Sequence, residues 1–240
     1  MKNKLFIGLI SIIFISILCC CGAKKAYVSV DRNLSTGISP GDSVVILLNE
    51  SKEHGVNIVS ERKEKSIENC MVNAMTNKNI KWNIVSAKIF RRTIFPGKKY
   101  EDTPRTVEDL LLFLQDEESR HQVEMIGIRY LIIVDTNTYN YGEKSDFAAQ
   151  GWAWGVSQTW TRSSNFTSFV IDVKQPAKSG GFSSSSYGKA GYVLPFLLVI
   201  PLPPIPIFAL TESQACLALG TAVVKFLEER EESSEEEKIE

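Results

Sequence analysis

The sequence predicts an α/β domain, with α+β as its variant, built on a single mixed sheet with about three helices. Two patterns in residues 42–228 lead to this. Through the first half, apolar runs of strand length alternate with segments of helical spacing, the order that builds a sheet with crossover helices. After residue 150 the pattern changes to a period of two, the mark of adjacent antiparallel strands. The chain's 240 residues suffice for one domain of ordinary size, and 44% hydrophobic content is that of a globular protein. A formal net charge of −1 gives no basic excess to attract phosphates, so no nucleic acid partner is expected.

The first core signal is Val44-Val45-Ile46-Leu47-Leu48, a continuous run expected of a strand buried on both faces. Ile67, Cys70, Met71, Ala74 and Met75 then recur at helical spacing, which places Cys70 on the apolar stripe of a first helix. Residues 82–86 read as a second strand. The basic, aromatic segment 90–97 follows and ends in a turn signal; its Arg91-Arg92 pair reads as a solvated strand end, with an anionic headgroup as the alternative use. Thr106-Val107-Glu108-Asp109 resembles a capping box, and Val107, Leu110, Leu111 and Leu114 supply the stripe of a second helix. The run 126–134 is the strongest buried-strand signal in the chain.

In the second half, Trp152, Trp154, Val156 and Trp160 share one strand face, and Thr167, Phe169, Ile171 and Val173 repeat the period. Residues 180–188, rich in Gly and Ser, read as a low-complexity hinge. No charge occurs in 190–210, yet its five prolines would remove helix hydrogen bonds that lipid cannot replace. The expectation is a buried strand to about Ile200, then an extended Pro-rich apolar loop. Thr211-Glu212-Ser213-Gln214 opens a last helix with Cys216, Leu219, Val223, Phe226 and Leu227 inward. In 228–240 eight Glu face two basic residues, a solvated and disordered tail.

The N-terminus carries an address. Lys2 and Lys4 precede an uncharged stretch, 5–18, that is short for a bilayer span and fits the apolar core of a secretory signal. Leu18-Cys19-Cys20-Cys21-Gly22 resembles the lipobox of bacterial lipoproteins, in which an apolar residue stands three places before the Cys that receives lipid. Cys21 fits that pattern best, since only there do Leu18 and the small Cys20 both fall as the motif requires. The domains expected are a signal peptide (1–20), lipidated Cys21 with a tether (21–41), one α/β domain (42–228) and the acidic tail (229–240). Cleavage before Cys21 removes Lys2 and Lys4 and leaves 25 basic against 28 acidic residues, or −3. Several acyl chains would hold the protein to a membrane without spanning it. Gly22 rather than Asp after the lipidated Cys resembles outer-membrane sorting in a diderm host. Of five cysteines only Cys70 and Cys216 then remain, as a disulfide or as two buried thiols.

The search for chemistry returns few candidates. His54 and His121 stand far apart with no partner at metal-ligand spacing, so no metal and no cofactor are expected. The glycines of 180–188 have the wrong spacing for a phosphate loop, and there is no nucleophile elbow. On the apolar stripe, Cys70 is no nucleophile, and no catalytic residue is assigned. Two features point to contact with a partner. The Trp152, Trp154 and Trp160 face either packs under a helix or meets sugar or lipid. In the Pro-rich loop, Leu202, Ile205, Ile207 and Phe208 cannot all be sheltered in a central strand, so they fold onto the core or face a membrane or envelope partner.

From Val44 to Leu227 the order of elements resembles the α/β module of bacterial envelope lipoproteins related to the curli secretion lipoprotein CsgG, the N-terminal domain of TolB and the flagellar lipoprotein FlgO. The run 44–48, the helix around Cys70, the strands 127–134 and 169–173 and the helix around Cys216 carry the likeness, while 92–104 and 190–210 depart from it. The resemblance implies a non-catalytic binding or assembly module in the envelope, at the cell membrane or outer membrane and facing the periplasm in a diderm host. Its partners would be the membrane, through the N-terminal lipid, and an envelope protein or further copies of the chain. Two other classes stay open. A subunit of an oligomeric outer-membrane secretion complex would need amphipathic hairpins, for which 151–173 is the candidate. An envelope hydrolase would need a pocket lined by a paired acid and base.

Overall fold

The computed structural model describes residues 24–32, 37–78, 80–150, 153–197 and 199–228. The expected signal peptide 1–20, Cys21, Trp152 and the expected tail 229–240 lie outside the described residues. Among those described, one mixed sheet holds nine strands: β1 (Lys24–Arg32), β2 (Ser43–Glu53), β3 (Val56–Asn57), β4 (Asn83–Val85), β5 (Ile128–Gln150), β6 (Ala153–Asp172), β7 (Ala177–Leu197), β8 (Ile200–Pro201) and β9 (Ile205–Ile207). Five α-helices accompany it: α1 (Glu61–Thr76), α2 (Ala87–Ile94), α3 (Val107–Gln115), α4 (Glu117–Met125) and α5 (Thr211–Glu228). The fold is α/β, as the sequence predicts, with more helices than the three expected. In space the order is β1-β7-β6-β5-β2-β3, with β4 beside β2 and β8 and β9 beside β7. β2 runs parallel to β4 and β5, and the other pairs are antiparallel.

Alternation along the strands divides the core in two. Val44, Ile46 and Leu48 of β2 and Tyr130, Ile132 and Val134 of β5 join Phe166, Val170 and Phe182 under α1 and α5. Their neighbours Val45, Leu47, Leu131, Ile133 and Ile171 point the other way, under α2, α3 and α4. This explains why the runs 44–48 and 130–134 are hydrophobic at every position. Local signals set the helix starts. The Thr106 hydroxyl accepts from the Asp109 N–H at 3.0 Å, as the capping-box pattern requires, and Asp116 does the same for Ser119 at 2.9 Å to begin α4.

Several expectations are corrected. The segment 90–97 is largely helical: Ala87, Phe90, Arg91 and Ile94 recur at helical spacing and form the buried face of α2. Arg91 is therefore no solvated strand end. Its guanidinium binds both carboxylate oxygens of Glu64 at 2.7 and 3.2 Å and also donates to the Thr103 hydroxyl and the Pro104 carbonyl. Glu64 accepts in addition from the Leu48 N–H at 2.9 Å, so the buried pair ties α1, α2 and β2 together. Breaking such a pair from one side typically costs about 3–5 kcal/mol. Helix α4 is missed in the sequence because Val123 is its single fully buried residue. Part of the supposed tether, 24–32, is an edge strand whose Tyr27, Val28 and Val30 stay exposed, because it is held by backbone pairing with β7 rather than by a buried face.

The Gly/Ser segment 180–188 is no hinge. It lies inside β7, between β1 and β6 and beneath α5. A Cβ at Gly180 would stand 2.6 Å from the Phe226 ring and 2.9 Å from the Asp31 carbonyl oxygen, so only glycine fits that crossing. At Gly220 a Cβ would meet Ala74 at 2.7 Å, which shows how closely α5 lies on α1. That approach brings Cys70 and Cys216 within 6.3 Å between Cα atoms, joined as a disulfide across 146 residues of sequence. A crosslink over so long a loop restricts the unfolded chain and contributes typically about 2–4 kcal/mol. Intact-mass analysis of the denatured protein should show no alkylation at these two cysteines until reductant is added. Reduction should then lower the stability to urea by a similar amount; free labelling without reductant would contradict the crosslink.

Candidate interaction surface

β5, β6 and β7 are 23, 20 and 21 residues long, well beyond the run of any helix above them. The last row engaged by the body is Asn140–Arg162–Gly188, where Arg162 meets Glu53 of β2 and Glu212 of α5. Past it, residues 142–150, 153–161 and 189–197 form a three-stranded arm, with β8 and β9 folded back along β7. Its two faces differ. On the side that α1 and α5 cover in the body, the register aligns Phe147, Val156 and Leu194 in one row and Ala149, Trp154 and Phe196 in the next. Trp154 stacks on Phe196 at 3.8 Å between centroids, with Phe147 at 6.0 Å from Trp154, and Trp160 meets Tyr192 edge-on at 6.4 Å. Phe147 is 67% exposed. The opposite face carries Lys144, Asp146, Ser157, Thr159, Thr161 and Lys189 in the rows nearer the body, and Val193, Pro195 and Leu197 with alanine and glycine toward the tip.

Trp154 thus packs at the arm, not under a helix, and Trp152 lies outside the described residues. The Pro-rich segment divides. Ile205 and Ile207 are half-buried, because β9 pairs with 191–193 despite Pro206, as an edge strand permits for a residue without an N–H. Leu202 and Phe208 are exposed, as are Val199, Ile200 and Leu210. The strand expected to stay buried to about Ile200 ends at Leu197 and is only half-buried from 192 onward, because no helix reaches it. Sequence reading missed Phe147, Tyr192, Leu194 and Phe196. A signal was present: no charge occurs in 147–161 or in 190–211, and the charged residues Asp146, Arg162, Lys189 and Glu212 bracket both runs.

Charge gathers where the arm leaves the body. Arg162 holds Glu53 at 3.2 Å and Glu212 at 3.1 Å, and Lys63 of α1 reaches the other oxygen of Glu212 at 3.3 Å. Burial pushes the Glu212 carboxyl up, but Lys63 and then Arg162 outweigh it and hold it below the ordinary glutamate range. Beside this network, Phe208 and Leu210 line a cleft with Ile67, Phe166 and the disulfide. Elsewhere, a cavity of about 260 Å³ opens over Arg91, Arg92, Lys98 and Tyr100, whose hydroxyl burial pushes up to about 12. Among the described residues no group of three or more His, Cys, Asp or Glu could hold a metal ion, and no helix is long and apolar enough to cross a membrane.

No family model matches the chain, and no curated protein matches it in sequence. Solved structures of similar architecture come from bacteria. A putative neuraminyllactose-binding hemagglutinin homolog from Helicobacter pylori is 11% identical, covering 81% of this chain and 89% of its own, with a TM-score of 0.37. The PelC dodecamer from Paraburkholderia phytofirmans is 11% identical over 84% of this chain and 96% of its own, at 0.31. Lipoprotein GNA1162 from Neisseria meningitidis is 11% identical over 62% and 83%, at 0.30. At these values the likeness reaches neither ligand nor partner.

The Glu212 network gives a pH test. Its pKa is lower folded than unfolded, so ionised Glu212 stabilises above the unfolded pKa and loses that contribution as pH falls through the folded value. Urea denaturation should show Glu212→Gln less stable than wild type at pH 7, by about 1 kcal/mol or less for so accessible a pair. The difference should vanish in acid once wild-type Glu212 is protonated. A gap unchanged by pH would assign the effect to packing.

Proposed function

We propose that this chain is a bacterial envelope lipoprotein that acts as a non-catalytic binding or assembly module. Lipid on Cys21 holds it to the cell membrane or outer membrane, facing the periplasm in a diderm host. The supporting observation is the bare aromatic face of the arm. Phe147, Trp154, Trp160, Tyr192, Leu194 and Phe196 lie together on one uncovered side of three strands, and a large contiguous apolar patch on a folded chain marks a contact site. The ionic pairs nearest to it, Arg162 with Glu53 and Glu212, join elements of the fold to one another. A rigid sheet that carries rings on one side suits recognition by burial, in which aromatic side chains supply most of the contact energy.

Phe147 and Phe208 are 67% and 65% exposed, so replacing both by Ser removes contact area without emptying the core. The double variant should melt with the wild type while its binding to liposomes, or its recovery of crosslinked envelope partners from intact cells, falls severalfold. A fall in melting temperature with undiminished association would return these residues to the core and remove the proposed surface. Cys21→Ser should release the protein from membranes or stall it as precursor, and unchanged acylation in that variant would refute the anchor.

A further inference from the structure

The pairing of β1 with β7 sets where an N-terminal lipid would stand relative to the arm. Lys24, the first residue of β1, pairs with Tyr187, and the antiparallel register points the upstream end of β1 toward the arm's tip. In sequence, Gly22 and Ala23 alone separate Lys24 from Cys21, a reach of about 10 Å at full extension. Tyr187 pairs with Ser163, and Ser163 with Tyr139, the row immediately before the arm leaves the body. From Gly188 to Leu197 the arm then runs about 30 Å at strand rise. The upstream end of β1 and the arm leave the body at the same level and on the same side.

Resting on the reading that Cys21 carries lipid, we propose that the aromatic face of the arm lies in the headgroup–acyl boundary of that same membrane, as a peripheral β-arm whose opposite face stays in water. With lipid on Cys21, at most about 10 Å of chain would separate the acyl chains from Lys24 at the arm's root, so the nearest apolar phase for an exposed aromatic face would be the bilayer that holds them. Composition agrees with lipid as occupant: no charge occurs in 147–161 or 190–211, and Trp154, Trp160 and Tyr192 are the residue types that settle at the boundary between headgroups and chains. The other face has Lys144, Asp146, Ser157, Thr159, Thr161 and Lys189 in its rows nearer the body, which suit water, and alanine, glycine, Val193, Pro195 and Leu197 toward the tip.

The open edge of β5 fixes the depth. β2 ends at Glu53 opposite Thr138, and beyond it β5 has no strand on its outer side among the described residues. Hydrocarbon would leave those N–H and C=O groups unsatisfied, whereas the boundary supplies water. That edge also carries a bulge between Tyr141 and Lys144 and the charges Glu143, Lys144 and Asp146. These are devices that keep an edge strand solvated and stop it pairing with another copy.

The test places an environment-sensitive fluorophore on each face of the full mature, acylated protein bound to vesicles of phosphatidylethanolamine and phosphatidylglycerol. One pair of variants is Val156→Cys and Ser157→Cys on β6; a second, Ala149→Cys and Ala148→Cys on exposed β5, serves if the first pair perturbs folding. On vesicles the probe at 156 or 149 should shift to the blue and brighten severalfold, while the probe at 157 or 148 keeps its emission in water. Shifts on both faces would mean an arm crossing the bilayer or assembled into a pore, and would overturn the proposal. So would a shift at 156 that needs no vesicles and grows with protein concentration, since the occupant would then be a second copy. Protein that floats with vesicles while neither face responds would refute the arm contact and leave the anchor standing. Protein that does not float would refute the lipid on Cys21 itself, and the proposal with it.

Discussion

A strand advances about 3.3 Å per residue and an α-helix about 1.5 Å, so a helix of given length covers less than half as many strand residues. The 18-residue α5 spans about 27 Å, whereas the 20-residue β6 spans about 66 Å. Helices of this size can therefore roof only part of strands this long. The arm is the remainder, and its bare aromatic face is the continuation of the surface that α1 and α5 bury in the body.

The body is arranged to hold that long sheet at one end. α1 and α5 lie close because Gly220 admits Ala74, and the Cys70–Cys216 crosslink joins them there. Gly180 lets Phe226 of α5 rest directly on β7 while β1 passes beside it. Across the sheet, the buried Arg91–Glu64 pair joins α2 to α1 and to the end of the apolar run of β2. Where the strands leave this frame, Arg162, Glu53, Glu212 and Lys63 bridge β6, β2, α5 and α1. The transition from a sheet covered on both faces to a bare one is thus marked by charge.

The sequence made the core legible and the arm much less so. Runs such as 44–48 and 130–134 are hydrophobic at consecutive positions because both faces are covered, as is usual for strands buried on two sides. In the arm, Trp154, Val156 and Trp160 alternate with small and hydroxyl residues, a pattern that one-sided cover by a helix would also produce. Periodicity does not say what covers a face. Gly and Ser at 180–188 read as a hinge because their function in β7 is to make room, for Phe226 on one side and β1 on the other, and such steric need is set by distant residues. Arg91 reads as solvated for a related reason: its partner Glu64 stands 27 positions away in sequence, so local pattern shows its charge without its counterion.

The central claim is that one continuous sheet has a helix-covered half and a bare half that a membrane completes. Hydrogen–deuterium exchange on the protein extracted from its host membrane, without and with vesicles, tests it most directly, because local opening follows the packing around each strand. The account predicts fast exchange in 142–150, 153–161 and 189–197 against slow exchange in 130–138, 164–172 and 178–186, with vesicles slowing the first set alone. Equal protection in both halves without lipid, or an arm whose exchange vesicles leave unchanged, would contradict it.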